Sequence, residues 1–196
     1  GENRVLAHYG LLVLRKSPRL GLQRLLSRLK INQRFLTEDD INFMIVPRIN
    51  AASRMGKPMD AFKLLIAADE IEADKLAAHL DKINQERKGA VAVITKEVRK
   101  IMLTRQSERR VIVIGNPNWR PSLLGLVANA LKEEHGKPVF LWGRDGNATL
   151  KGSCRSDGNV NVVELMSATR EIFVEFGGHA LSGGFTVVEE KIHILE

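Results

Sequence analysis

Gly177-Gly178-His179-Ala180-Leu181-Ser182-Gly183-Gly184-Phe185 sets two glycine pairs around a histidine. Glycine reaches positive φ and leaves the backbone bare, so amides in such a turn can converge on an anion while the imidazole adds a hydrogen bond or a charge. Phosphate recognition is the chemistry this pattern could serve, through Gly177, Gly178, Gly183 and His179. A tight strand connection whose histidine merely packs fits the same spacing.

Gly152-Ser153-Cys154-Arg155-Ser156 is a second candidate. A guanidinium is a planar fork matched to phosphate oxygens, and the hydroxyls of Ser153 and Ser156 stand beside it. A surface ion pair is the plain alternative for Arg155. A third group, Arg48, Asn50 and Arg54, falls in the stretch from Pro47 to Met55, at an expected helix break from which it could reach a cleft between lobes. Asn50 there fits equally as a cap for the next segment.

Other reactive side chains carry less. Asp39-Asp40 and Asp69-Glu70 sit in helix-start or helical contexts, where acids meet the positive helix end, with no histidine at ligand spacing. His8, His79, His135 and His193 share no spacing. Cys154 has no general base that sequence can pair with it and reads as a small buried hydrophobe. No catalytic and no metal-ligating residue is therefore assigned.

The elements that must position these groups can be read from periodicity. Residues 4–14 and 21–30 have apolar positions at helical spacing, and Thr37, followed by three acids, starts a helix that should run to about Val46, where Pro47 interrupts it. From Pro58 to about Gln106 the pattern stays helical, with room for one break near Asp69. The texture changes at Arg110. Val111-Ile112-Val113-Ile114-Gly115 is a buried-strand run, residues 122–135 form a helix ending at Gly136, and Pro138 to Trp142 is a strand, which together make a β-α-β unit. Beyond Arg144, segments 148–156, 160–168, 171–175 and 184–194 read as strand, short helix, strand and strand. The fold class is α/β: a compact mixed-sheet domain at 109–196, preceded by a long helix and a small helical region.

Composition bounds the partners. With 44% hydrophobic and 27% charged residues over 196 positions, and no apolar run near the roughly 20 residues of a membrane span, the chain reads as neither membrane-bound nor disordered. The single cysteine excludes an internal disulfide and fits a reducing, cytoplasmic setting. A net charge of +7, with cations clustered over Arg15–Arg34 and Arg99–Arg110, points to a polyanionic partner. Aromatic residues make up only 5%, which favours contact with a nucleic-acid backbone over base stacking.

Gly177-Gly178-His179 with Ser182-Gly183-Gly184 resembles the Gly-Gly-His-x-x-Ala-Gly-Gly signature of the DHHA1 domain, the C-terminal lobe of DHH-superfamily phosphoesterases. Gly152 to Ser156 is similar to that family's Gly-Ser-x-Arg-Ser strand, and Asn161 to Leu165 to the segment after it. Pro47-Arg48-Ile49-Asn50-Ala51-Ala52-Ser53-Arg54-Met55 resembles the Pro-Arg-Ile-Asn-Ala-Ala-Gly-Arg block of the RecJ branch. Glu2-Asn3-Arg4, ending in Tyr9-Gly10-Leu11, is similar to the run after the catalytic domain's last metal motif. Ser53 and Ser182 depart from a usual glycine and alanine, and Trp119-Arg120-Pro121-Ser122 stands where Trp-His-Pro-Gly is general.

The resemblance implies a parent enzyme that hydrolyses single-stranded DNA from the 5′ end. Mn2+ or Mg2+ would be held by Asp-x-Asp and Asp-His-His motifs of an N-terminal domain, and neither motif occurs here. Residues 1–57 are then the tail of the catalytic domain, 58–108 a connecting helix and 109–196 the DHHA1 lobe. The chain alone is expected to grip single-stranded nucleic acid, to partner the DHH domain and to be inactive. The resemblance also implies that the strand carrying Arg155 holds the terminal phosphate. Rival readings are a related phosphoesterase acting on short oligonucleotides or nucleotide phosphates, and a stand-alone nucleic-acid-binding module.

Overall fold

The computed structural model describes residues 1–105, 109–146 and 149–195. Two compact units are present, Gly1–Lys88 and Gly89–Glu196.

The first unit is helical: α1 (Glu2–Arg15), α2 (Leu20–Arg28), α3 (Val46–Arg54), α4 (Pro58–Ile66) and the first part of α5 (Glu70–Thr104). Its core is aliphatic. Leu22, Leu25 and Leu26 of α2, spaced along one helix face, pack with Leu36, Ala51, Leu64, Leu80 and Ile83. Gly21 allows α2 to lie against α4, because a Cβ there would fall 1.7 Å from the Leu64 carbonyl oxygen. The break anticipated near Asp69 separates α4 from α5, and the Asp69 carboxylate accepts from the Glu72 amide at 2.7 Å as a cap.

The helix after Thr37 differs from expectation. Pro47 does not end it. A π-helical turn, Asp40–Ile45, runs directly into α3 with Pro47 in the first turn. Proline is tolerated in a first turn, and the widened π turn before it absorbs the hydrogen bond that proline cannot donate. Consequently there is no helix break at Asn50, which lies inside α3.

The second unit contains a five-stranded sheet in the order β1-β2-β3-β5-β4, with β1 (Ile112–Gly115), β2 (Val139–Arg144), β3 (Thr149–Arg155), β4 (Phe173–His179) and β5 (Ser182–Val188). β1 and β2 are parallel and joined through α6 (Pro121–His135), the β-α-β unit that the sequence indicates; the remaining pairs are antiparallel. α6 stops at Gly136, in the left-handed region at φ 59°, as glycine permits.

Alternation along the strands divides the sheet into two faces. Phe140, Trp142, Leu150, Cys154, Phe185 and Val187 form one core with Val162 and Met166 of α7 (Val162–Ala168). On the other face, Val139 and Leu141 are buried, as are Leu124, Val127 and Leu131 of α6.

Two strand boundaries shift. The expected strand at 171–175 begins only at Phe173 and continues to His179, which draws the Gly-Gly-His triplet into the sheet. The strand expected over 184–194 ends at Val188 and gives way to a 3-10 turn, Glu189–Lys191, and a short helix, Ile192–Leu195. The expected end of α5 at Gln106 and the start of β3 at residue 148 lie outside the described residues.

Candidate functional site

The Gly-Gly-His segment is not an open anion-binding turn. Gly177 and Gly178 pair with Gly184 and Gly183 across β4 and β5, and only Ala180 and Leu181 form the connection. That connection is pinned from outside: the Ser156 amide donates to the Leu181 carbonyl at 2.9 Å and the Val162 amide to the Ala180 carbonyl at 3.0 Å.

Cross-strand register gathers the candidates into rows. Arg155 of β3 is opposite Ser182 of β5, which is opposite His179 of β4; next to this row lies Ser153, opposite Gly184, opposite Gly177. Directly opposed residues of an antiparallel pair share a face, and neighbouring strands lie about 5 Å apart. Arg155, Ser153, Ser182, His179, Gly184 and Gly177 therefore occupy one face, the one on which α6 packs.

α6 is notched where it crosses β3. A Cβ on Gly125 would stand 2.7 Å from Arg155 Nη2 and 3.6 Å from Ser153 Oγ, so the missing side chain leaves the space in which the guanidinium lies. Arg155 Nη1 donates to the Cys154 carbonyl at 2.7 Å, which fixes the other end of the fork.

Hydrogen bonds define the protonation pattern around His179. The Leu181 amide donates to Nδ1 at 3.3 Å, so the neutral ring carries its proton on Nε2, which lies 2.8 Å from Ser182 Oγ. Ser182 accepts that proton and keeps its own hydroxyl hydrogen to donate. The row thus presents donors, from Arg155 and Ser182, as an anion requires.

The four glycines divide by face. Gly183 faces the α7 side, where a Cβ would meet Met166 Cε at 3.0 Å and Cys154 Sγ at 3.1 Å; Gly178 has φ 149° and a Cβ there would come within 2.2 Å of the Ser182 carbonyl oxygen. These two serve packing and the hairpin. Gly177 has no neighbour within 4 Å of an added Cβ, and Gly184 meets only ordinary contact, 3.6 Å from the Gly152 carbonyl oxygen. Neither has a steric reason to be glycine, and together they leave bare backbone beside the Arg155 row.

Four other candidates are placed differently. Ser156 is buried, and its hydroxyl accepts from the Gly158 amide at 3.2 Å, a turn-stabilising role that turns it away from the face. Arg48 is also buried: Nε donates to Asp81 at 2.8 Å and Nη1 to the Met44 carbonyl at 2.7 Å. Its guanidinium is consumed by the core of the first unit. Asn50 is exposed on α3, and Arg54 lies at the end of that helix.

Residues 108–195 match the DHHA1 domain. The single-stranded-DNA-specific exonuclease RecJ of Bacillus subtilis is 33% identical over 192 residues, covering 97% of this chain and 24% of that protein. The RecJ of Haemophilus influenzae is 32% identical over 198 residues, 96% of this chain and 34% of that one. The crystal structure of RecJ from Thermus thermophilus with Mg2+ superposes with a TM-score of 0.85 and 30% identity over 99% of this chain and 30% of its own. Residues 108–195 thus carry a DHHA1 domain, and nearly the whole chain is similar to part of RecJ. The chain spans only a minor part of the length of its curated relatives, 24% and 34% in these two cases.

Gly125, Ser182 and Gly184, which lie on the same face as Arg155 or against it, are further candidates that the sequence reading did not assign. Gly125 carried a signal, being an isolated glycine inside a helical pattern, which usually has a packing or functional reason. A further RecJ structure, bound to manganese, superposes with a TM-score of 0.79. Among the described residues of this chain, no three His, Cys, Asp or Glu side chains are grouped to hold a metal ion. These residues do not fit the metal, and no step through it follows from them. No described helix is long and apolar enough to cross a membrane.

Proposed function

We propose that this chain is the substrate-gripping part of a RecJ-like single-stranded-DNA exonuclease, with Mn2+ or Mg2+ and the hydrolytic step belonging to a DHH domain outside residues 1–196. The observation that carries this reading is the bare Gly177 and Gly184 surface beside Arg155, Ser153 and the Ser182–His179 pair. A strand's phosphate could approach such a backbone closely while the guanidinium and hydroxyls supply charge-assisted hydrogen bonds. Holding the phosphate in one place sets the register of the strand for chemistry elsewhere. The single-stranded-DNA-specific exonuclease activity of the RecJ relatives and the net charge of +7 support a single-stranded nucleic acid as the ligand.

Arg155 would hold the terminal phosphate. Replacing Arg155 with alanine should weaken binding of a 5′-phosphorylated single strand more than that of its 5′-hydroxyl counterpart. Equal weakening of both would reduce Arg155 to a general charge and remove the terminal-phosphate role.

A further inference from the structure

Three consecutive rows of residues cross the sheet face on which α6 packs. The first is Arg155, Ser182 and His179, the second Ser153, Gly184 and Gly177, and the third Lys151, Thr186 and Glu175. Neighbouring rows on one face are two residues apart along a strand, about 7 Å. A groove of about 310 Å³ lies over the second and third rows, and its lining includes Gly177, Gly184, Thr186 and Glu175. The glycine end of this groove adjoins the donors of the first row. A carboxylate stands at the other end.

That carboxylate owes its place to an irregularity in β4. Phe173 and Glu175 are two residues apart and would share a face in a regular strand. The register shifts between them: Phe173 is opposite Val187, in the core with α7, whereas Glu175 is opposite Thr186. A bulge of this kind re-aims a side chain. Thr186 is 7% exposed and donates its hydroxyl to Glu175 Oε1 at 3.1 Å, which orients an otherwise exposed acid.

The nearby cations do not cancel it. Lys151 Nζ, in the same row, is bonded to Asp145 at 2.9 Å, so two carboxylates face one ammonium. Arg170 is turned to the opposite face, where its guanidinium carbon lies 5.2 Å from the centre of the Phe176 ring and Nη1 donates to the Phe173 carbonyl at 2.7 Å. Arg144 is paired with Glu189 at 2.7 Å. One end of the groove is therefore acidic in a chain of net charge +7. A carboxylate only accepts hydrogen bonds, as a phosphodiester does, and the two charges repel.

We propose that Glu175 is a specificity-determining residue, an electrostatic stop that admits the terminal phosphate of a single strand and turns away a continuing sugar-phosphate backbone. The inference rests on the phosphate-gripping reading above, which does not include Glu175. A terminal phosphate held by the first two rows needs no further phosphate in the groove. A strand gripped by an interior phosphate runs on in both directions, and one of them brings the next phosphodiester against Glu175.

The test compares a 5′-phosphorylated linear single-stranded DNA with a circular one of the same sequence, by titration of the 196-residue chain and its variants at low salt, with thermal unfolding alongside. The unmodified chain should prefer the linear strand. Glu175→Gln keeps an acceptor for Thr186 and removes the charge. It should tighten binding of the circle about twofold to fivefold, the scale of one exposed charge contact, and leave the linear strand nearly unchanged. Glu175→Lys should tighten the circle further, and added salt should shrink these differences. Glu190→Gln, which removes an exposed carboxylate outside the groove, should move both strands alike. An unchanged linear-to-circle ratio in Glu175→Gln, or a loosened circle, would overturn the stop. If Arg155→Ala weakens the linear strand while the ratio stays fixed in Glu175→Gln, this inference alone falls. If the unmodified chain binds neither strand, it falls together with the reading beneath it.

Discussion

Gly125 of α6 and Arg155 of β3 are fitted to each other. A Cβ at position 125 would stand 2.7 Å from Nη2 of the arginine, so the absence of a side chain on one element seats the charge of another. The arginine is held between helix and sheet next to Ser153, and its position depends on a residue 30 positions earlier in the chain.

Gly125→Ala is expected to separate binding from folding. Alanine is favoured over glycine inside a helix by about 0.5 to 1 kcal/mol, and the group it would meet is the flexible end of a side chain. Thermal stability should therefore hold or rise, while displacement of the guanidinium lowers single-strand affinity about threefold to tenfold. Undiminished affinity in a folded Gly125→Ala chain would show that the seat does not matter.

Gly177 and Gly178 are adjacent and should behave oppositely. Gly178→Ala must carry a Cβ at φ 149°, within 2.2 Å of the Ser182 carbonyl oxygen, and should cost at least about 2 kcal/mol of stability by urea unfolding. Gly177→Ala meets nothing within 4 Å, so its stability should change little while the added methyl on the bare face weakens binding. Loss of stability at 177, or unaltered binding there, would argue against the division of the glycines by face.

Arg48→Ala should damage the fold. Its side chain is 9% exposed and its partner Asp81 28% exposed, so removing it leaves the carboxylate with only Arg28 at 4.0 Å and the Met44 carbonyl without its donor, at a cost of about 2 to 4 kcal/mol. Chemical denaturation should show that loss. A change near zero would return Arg48 to the surface and to the list of substrate contacts.

Burial pushes the Cys154 thiol up from 9.0 to about 11. An unfolded chain then loses its thiol proton first as pH rises, so stability is fully present below about pH 9 and falls through the window up to about pH 11. In the folded chain the thiol should also resist alkylation at pH 8, as measured by reagent uptake. Cys154→Ala should remove its share of the alkaline loss, and an unchanged pH profile would exclude the thiol as its source.

Much of this architecture was legible in the sequence. The Val111–Gly115 run, the helical spacing to His135 and the glycine at 136 are local signals, and they produce the β-α-β unit. The glycine-histidine cluster was legible as a candidate, yet its geometry was not. Which glycine faces α7 and which faces the open surface depends on strand register, and register is set by partners on β3 and β5. Pro47 was read as a breaker because the π turn that accommodates it leaves no compositional mark. Arg48 looked like a substrate contact because its ion pair lies 33 residues away on α5. Beyond Val188, Ile192 and Ile194 around His193 imitate a strand's alternation, while a short helix, Ile192–Leu195, follows the Glu189–Lys191 turn instead.

The central claim is that this chain grips a single-stranded nucleic acid through its phosphates and leaves cleavage to another domain. Titration with a short 5′-phosphorylated single-stranded DNA in rising salt, with manganese-supplemented samples followed for products, tests it most directly. The account predicts binding that weakens steeply with salt and leaves the strand intact. Manganese-dependent cleavage by the purified chain, or no binding at low salt, would contradict it.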